Sequence, residues 1–241
     1  LKKDLMRHGV EFNFSEGYLK KTGANAILTE AGRTIEYGKL INCAGLYADK
    51  IANDFNFGLK YTILPFKGMY LKYVYEDKPV KMNIYPVPDI KNPFLGVHYT
   101  VTVDNAIKIG PTAMPAFWRE NYDFSHNFDI KELLPVLTYA GWLFVKNSFG
   151  FRDLAFREML KYSRKHFICL AEKLVRRIDA SGFKEWSKPG IRAQLLDKEN
   201  LELVQDFVVS GDKNSVHILN AVSPAFTSSF PFTRWVVENH V

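Results

Sequence analysis

The chain has 241 residues, 47% of them hydrophobic, 24% charged and 15% aromatic, enough for one large or two modest cores, which excludes a disordered or fibrous chain. Its net charge of +6 is spread over isolated pairs such as Lys20-Lys21, Arg164-Lys165 and Arg176-Arg177. Without a run of like charge, no nucleic-acid partner is expected, and a mildly basic solvated surface accounts for the balance.

In chain order, residues 1–9 read as the end of a helix stopped by Gly9, and so as a chain that lacks something upstream. Strands are expected over 10–14, 18–21, 26–29 and 34–37. The apolar strand 39–43 then runs through Ala44-Gly45 into a helix over 46–54. Beyond residue 58, strands broken by Pro and Gly at 61–64, 68–75, 82–85, 95–100 and 106–109 predict a mostly antiparallel sheet. Helical spacing follows at 130–139, 142–147, 153–162 and 167–178. Residues 182–190 read as a polar connector, and strands resume at 191–196, 203–209 and 216–219. Ser223-Pro224 then predicts a terminal helix with Ser as its cap and Pro in its first position. The fold class is therefore α+β, a sheet with helices covering it.

The longest apolar stretch, 133–145, is interrupted by Pro135 and Thr138 and is well short of the roughly 18–20 residues that span a bilayer. Cys43 and Cys169 cannot build a disulfide framework or a metal site; they read as buried or inert thiols in a reducing compartment.

Five short segments carry chemistry. In Asn42-Cys43-Ala44-Gly45 a strand turns into a helix over small residues, which lets a bound group approach the backbone and aims amides at an anion; by itself it is equally a packing turn. Gly68, inside a strand pattern, indicates a bulge or a close neighbour. His98 follows a Pro-braced corner that holds Tyr85, and both read as structural aromatics unless a ligand lies beside them. Arg192 is flanked by apolar residues, and its fork suits a carboxylate or an internal ion pair. Finally, Asn220–Ser229 opens a helix with small and hydroxyl residues, either a cap or an anion cradle. There is no G-x-G-x-x-G fingerprint in the chain.

The order of these segments resembles the D-amino-acid-oxidase superfamily of flavoproteins, and within it the L-2-hydroxyglutarate oxidase/dehydrogenase branch. The matching stretches are INCAGLYADKIA at 41–52, LPFKGMYL at 64–71, IYPVPD at 84–89, PFLGVHYT at 93–100, IGPTA at 109–113, PGIRAQLLD at 189–197 and HILNAVSPAFTSS at 217–229. The resemblance implies part of an FAD/NAD(P)-binding domain over 1–57, a substrate-binding antiparallel sheet with helices over 58–182, and a return to the FAD-binding domain over 183–241. It also implies FAD as cofactor, with Ala44, Gly45, Gly68, Gly190, Ser223, Ala225 and Thr227 on the cofactor side. Tyr85, His98 and Arg192 would meet the substrate, with His98 taking the hydroxyl proton and Arg192 holding a carboxylate. The implied reaction is hydride transfer from a 2-hydroxy acid to flavin, yielding the 2-keto acid.

The same resemblance leaves an amino-acid or glycerol-phosphate oxidoreductase as the near alternative, and a non-catalytic remnant as the distant one. It implies an amino-terminal companion segment carrying the missing fingerprint. It further implies a cytoplasmic setting, peripheral at the inner membrane where the acceptor is a quinone. Two departures from the family pattern stand near the carboxy terminus: Val222 where Pro is usual, and the bulky Phe230-Pro231-Phe232.

Overall fold

The computed structural model describes residues 1–77, 79–87, 94, 96–123, 127–222 and 226–241. In chain order its elements are α1 (Lys2–Arg7), β1 (Tyr18–Lys21), β2 (Ala26–Thr29), β3 (Thr34–Glu36), β4 (Leu40–Asn42), α2 (Ala48–Asp54), β5 (Tyr61–Gly68), β6 (Leu71–Tyr73), β7 (His98–Val101), β8 (Ile107–Gly110) and β9 (Met114–Pro115). They continue with α3 (Ile130–Lys146), α4 (Phe151–Leu160), α5 (Arg164–Glu172), β10 (Phe183–Trp186), β11 (Gly190–Asp197), β12 (Glu202–Leu203), β13 (Val208–Gly211), β14 (Ser215–Asn220) and α6 (Ser229–His240). The chain divides into two units, one joining Leu1–Leu59 to Val208–Val241, the other Lys60–Phe207.

In the first unit, β1, β2 and β3 form an antiparallel meander, while β14 lies antiparallel to β13 and parallel to β4. A parallel neighbour requires a crossover, and β4 leads into one through the 3-10 turn Gly45–Tyr47 and α2. Helix α2 buries Ala48, Asp49 and Ala52. Residues 10–14, expected as a strand, pair with no strand among the described residues: Phe12 and Phe14 stack at 5.7 Å, and the Lys2 ammonium sits 4.2 Å from the Phe14 ring centroid. The last helix begins at Ser229, later than the Ser223-Pro224 start read from the sequence. Pro231 falls in its first turn, where a missing N–H is harmless.

The second unit holds two antiparallel four-stranded sheets, β10-β6-β8-β7 and β12-β11-β5-β9. Strand β11 pairs with β5 along its whole length, from Gly190 opposite Gly68 to Asp197 opposite Tyr61. One core packs Leu64, Phe66, Phe94 and Leu196 against Val136, Leu143, Phe151 and Leu154 of α3 and α4. The other packs Leu71, Tyr99 and Ile109 against Phe167 and Ala171 of α5 and against Phe183. Each such side chain contributes roughly 1.5–3 kcal/mol when fully buried. Helix α3 is capped by Asp129, which accepts from the Lys131 N–H, and it stops at Asn147 in the left-handed region, φ 52°. It runs unbroken through Gly141, where two shorter helices were expected.

The second boundary between units lies at 207/208 rather than 182/183. The supposed connector contains β10, an edge strand on β6, and β11 and β12 extend the other sheet of the same unit. Lys184 and Glu185 face solvent on that edge, and Phe183 alone is buried in β10, so the strand pattern is hidden. Of residues 82–85 only Ile84 makes a bridge, to Tyr99. Both cysteines are exposed rather than buried. No helix among the described residues is long and apolar enough to cross a membrane.

Candidate active site

The pairing of β5 with β11 sets two glycines opposite each other at the end of the ladder. A Cβ at Gly68 would stand 3.1 Å from the Pro111 Cβ and 3.4 Å from the Thr112 carbonyl, whereas one at Gly190 would meet nothing within 4 Å. Gly68 therefore lets the 111–112 segment press against the strand, and Gly190 borders open space. That space is a cavity of about 230 Å³, walled by Phe66, Tyr70, Phe94, Thr112, Gly68, Gly190 and Arg192, among others.

Thr112 fixes the wall. Its hydroxyl donates to the Lys67 carbonyl at 3.2 Å and accepts from the Met69 N–H at 3.0 Å, gripping the backbone on both sides of Gly68. Behind it the Ala113 N–H donates to Glu158 Oε2 at 2.6 Å, and the other oxygen of Glu158 pairs with Lys161 at 2.5 Å. Both partners of that ion pair are buried.

Arg192 is the one charged side chain on the cavity wall among the described residues. It is half-buried, with Cζ 5.4 Å from the Phe94 ring centroid. Burial lowers its pKa, yet a guanidinium stays charged at any working pH. A cation resting on an aromatic face beside an apolar slot is a receptor for one anionic group on an otherwise apolar or planar ligand.

His98 opens β7 and is buried, with Nδ1 2.9 Å from the Gly96 carbonyl. A carbonyl only accepts, so Nδ1 carries the proton and Nε2 carries the lone pair. Burial lowers the pKa of the ring, and the Gly96 bond opposes this in part. The Tyr85 ring lies against it, centroids 4.5 Å apart. Neither residue lines the cavity, but His98 is in register with Gly110, the residue before Pro111 in the cavity wall. The structure thus gathers Gly68, Gly190 and Arg192 on one cavity and sets His98 with Tyr85 one strand away.

In the first unit, Gly45 has φ +54°, and a Cβ there would meet nothing within 4 Å, so its backbone is uncovered. The neighbouring Ala44 N–H is engaged: it donates to Asn42 Oδ1 at 3.1 Å. Thr227 is exposed in the turn before α6, while Ser223 and Ala225 lie outside the described residues.

The sequence reading assigned no role to Phe94, Thr112, Asn42 or His217. All four stand in stretches quoted above for their resemblance, so the stretches were visible while the side-chain partners, remote in sequence, were not.

The family model described as FAD dependent oxidoreductase (DAO) matches residues 1–239. This chain belongs to that family. Among its DAO-family relatives, the mitochondrial L-2-hydroxyglutarate dehydrogenase of Mus musculus is 34% identical over 98% of this chain and 52% of its own length. The L-2-hydroxyglutarate dehydrogenase of Indibacter alkaliphilus is 40% identical over 83% of this chain and 49% of its own. The chain thus spans about half the length of these relatives. The fold is similar to that of the FAD-bound, dithionite-reduced L-alpha-glycerophosphate oxidase of Mycoplasma pneumoniae: TM-score 0.60, 16% identity, 96% of this chain and 52% of that one. An α+β FAD-binding architecture is therefore established for this DAO-family chain.

Proposed function

We propose that this chain belongs to an enzyme that oxidises L-2-hydroxyglutarate, or a similar 2-hydroxy acid, to the 2-keto acid with FAD. The observation that carries the reading is Arg192, a half-buried guanidinium on a cavity whose remaining described lining bears no charge. A 2-hydroxy acid presents one carboxylate next to the reacting carbon, and a planar fork can grip it through two parallel hydrogen bonds.

The residues present fit a flat cofactor. The paired Gly68 and Gly190 remove side chains from one wall, and Phe66, Tyr70 and Phe94 make the rest broad and apolar. Gly68 and Gly190 would hold the cofactor there. When bound, FAD supplies the capacity to accept two electrons. The chain's own part is to orient the acid through Arg192, to keep bulk water off the slot, and to receive the hydroxyl proton at His98 Nε2. The Tyr85 ring packs at a tilt against the imidazole and steadies it. In this reading the partner is a small hydroxy acid. A companion segment would complete the cofactor contacts, a quinone acceptor would bring the protein to a membrane surface, and the setting is cytoplasmic.

The test supplies the protein with FAD and L-2-hydroxyglutarate. Flavin uptake, bleaching of flavin absorbance and release of 2-oxoglutarate are expected. Because burial holds His98 below the ordinary imidazole value of about 6.5, kcat/KM should be flat through neutral pH and fall only on the more acidic side of that value. In His98→Asn that acidic limb should vanish, together with about 10²–10⁴-fold of the rate. Flavin uptake without turnover of any 2-hydroxy acid would sink the reading.

A further inference from the structure

The first unit contains a chain of buried polar side chains that the proposed reaction does not use. His217 on β14 is wholly buried, with Phe55 and Phe57 ring centroids at 5.1 and 5.3 Å. Its Nδ1 is 3.1 Å from Asn42 Nδ2, and its Nε2 is 3.1 Å from Ser215 Oγ. Asn42 is itself buried at the end of β4. Its Nδ2 donates to the Ala48 carbonyl at 2.8 Å, and its Oδ1 accepts from the Ala44 N–H at 3.1 Å.

The donor and acceptor roles admit one solution. Oδ1 of Asn42 must face the Ala44 N–H and Nδ2 the Ala48 carbonyl, because the reversed amide would set donor against donor and acceptor against acceptor. The second Nδ2 hydrogen then points at His217 Nδ1, which must carry a lone pair. Nε2–H therefore donates to Ser215 Oγ, and that hydroxyl in turn donates to Asp212 Oδ1 at 3.4 Å. Asp212 Oδ1 is anchored by the Asn214 and Ser215 N–H groups, both at 2.8 Å. Burial holding the imidazole neutral agrees with this assignment.

We infer that His217 is a positioning residue for the Ala44-Gly45 turn: by holding Asn42 in one orientation it fixes the direction of the Ala44 N–H and so presents the uncovered backbone of Gly45. Asn42 ties down both ends of the turn, at residues 44 and 48, and His217 is what stops Asn42 from rotating. The inference rests on the reading above only in taking this backbone to face FAD; the linkage itself is independent of it.

The experiment compares His217→Asn and His217→Gln in the full chain. Asn can place its amide oxygen where Nδ1 stood and so keep an acceptor for Asn42. Gln reaches the Nε2 position instead, keeping a donor for Ser215 while leaving Asn42 without its acceptor. A residue that served only as packing would favour the larger Gln. The inference predicts the reverse for one readout, hydrogen exchange of the Ala44 amide: close to wild type in His217→Asn, about tenfold faster in His217→Gln. Equal exchange in both variants, or protection by Gln alone, overturns it.

A measurement on the wild type guards against variants that do not fold. Imidazole ¹⁵N shifts should report the neutral Nε2–H tautomer of His217 at neutral pH, and the Nδ1–H tautomer would overturn the inference. FAD affinity, read by quenching of flavin fluorescence, should follow the exchange order. A wild-type chain that takes up no FAD even when its companion segment is supplied would overturn the proposed function and leave the linkage to be judged on exchange and tautomer alone.

Discussion

Two places in this molecule leave backbone open to a ligand, and they do so by opposite means. At Ala44-Gly45 in the first unit the turn is held by hydrogen bonds among buried polar groups, Asn42, His217 and Ser215. At Gly68 and Gly190 in the second unit it is held by the absence of side chains on paired strands over an apolar core. A polar joint has few tolerated arrangements, because each unmatched buried group costs about 1–3 kcal/mol. An apolar slot tolerates variation in its walls but depends on the empty volume staying empty. The first unit should therefore be sensitive to proton and hydrogen-bond changes, the second to volume added in the slot and to loss of Arg192, the one cation among the described residues of its wall.

The sharpest way to break that comparison is at Arg192. In protein supplied with FAD, Arg192→Ala should lower kcat/KM for the 2-hydroxy acid by about 10²–10³-fold, the scale of about 3–4 kcal/mol expected when one partner of a desolvated charge pair is removed. Arg192→Lys should recover part of this, since it restores the charge but not the planar fork. If Arg192→Ala keeps its rate within a factor of a few, the cavity does not hold the carboxylate.

A smaller effect probes the polar joint through pH. Burial, opposed by Asp212 and reinforced by Lys21, depresses His217 from 6.5 to about 4. A group whose folded pKa lies below its unfolded value binds protons more readily when the chain unfolds. Its contribution to stability is therefore complete above about pH 6.5 and is lost as the pH falls toward 4, by about 2–3 kcal/mol in all. Denaturant titrations from pH 7 to pH 4 should show this loss in the wild type and a shallower one in His217→Asn, which does not titrate. Identical slopes would mean that the imidazole is not held neutral by the fold.

How much of this was legible beforehand divides along the same line. Strands with a strong local pattern, such as β2, β11 and β14, could be read because burial imposes the pattern on the residues themselves, whereas β5 was read only over 61–64 and α3 as two helices. Glycine at 68 could be read as a close approach, and Arg192 as an arginine needing an anion, since each is anomalous in its own local sequence. Strand β10 could not, because an edge strand with Lys184 and Glu185 in solvent carries no alternation. Nor could the role of Asn42 or His217. Their hydrogen bond joins positions remote in sequence, and nothing near either residue states which polar partner the parallel pairing of β4 with β14 brings opposite it.

The mildest test separates the two glycines that face each other across β5 and β11. Neither has a left-handed φ, so the argument is steric alone. Gly68→Ala pushes a methyl group to 3.1 Å from the Pro111 Cβ, held in place by the Thr112 clamp and the Glu158 bond behind it. That wall can yield only by breaking bonds, so a loss of roughly 1–2 kcal/mol in denaturant unfolding is expected. Gly190→Ala adds the same methyl group to open space. It should leave stability within about 0.5 kcal/mol or raise it slightly by restricting the unfolded chain, while narrowing the slot and weakening FAD uptake. Adjacent positions of one ladder would then report different properties: folding at Gly68, ligand room at Gly190. If both substitutions cost stability equally, the slot is part of the packed core rather than a space kept for a ligand.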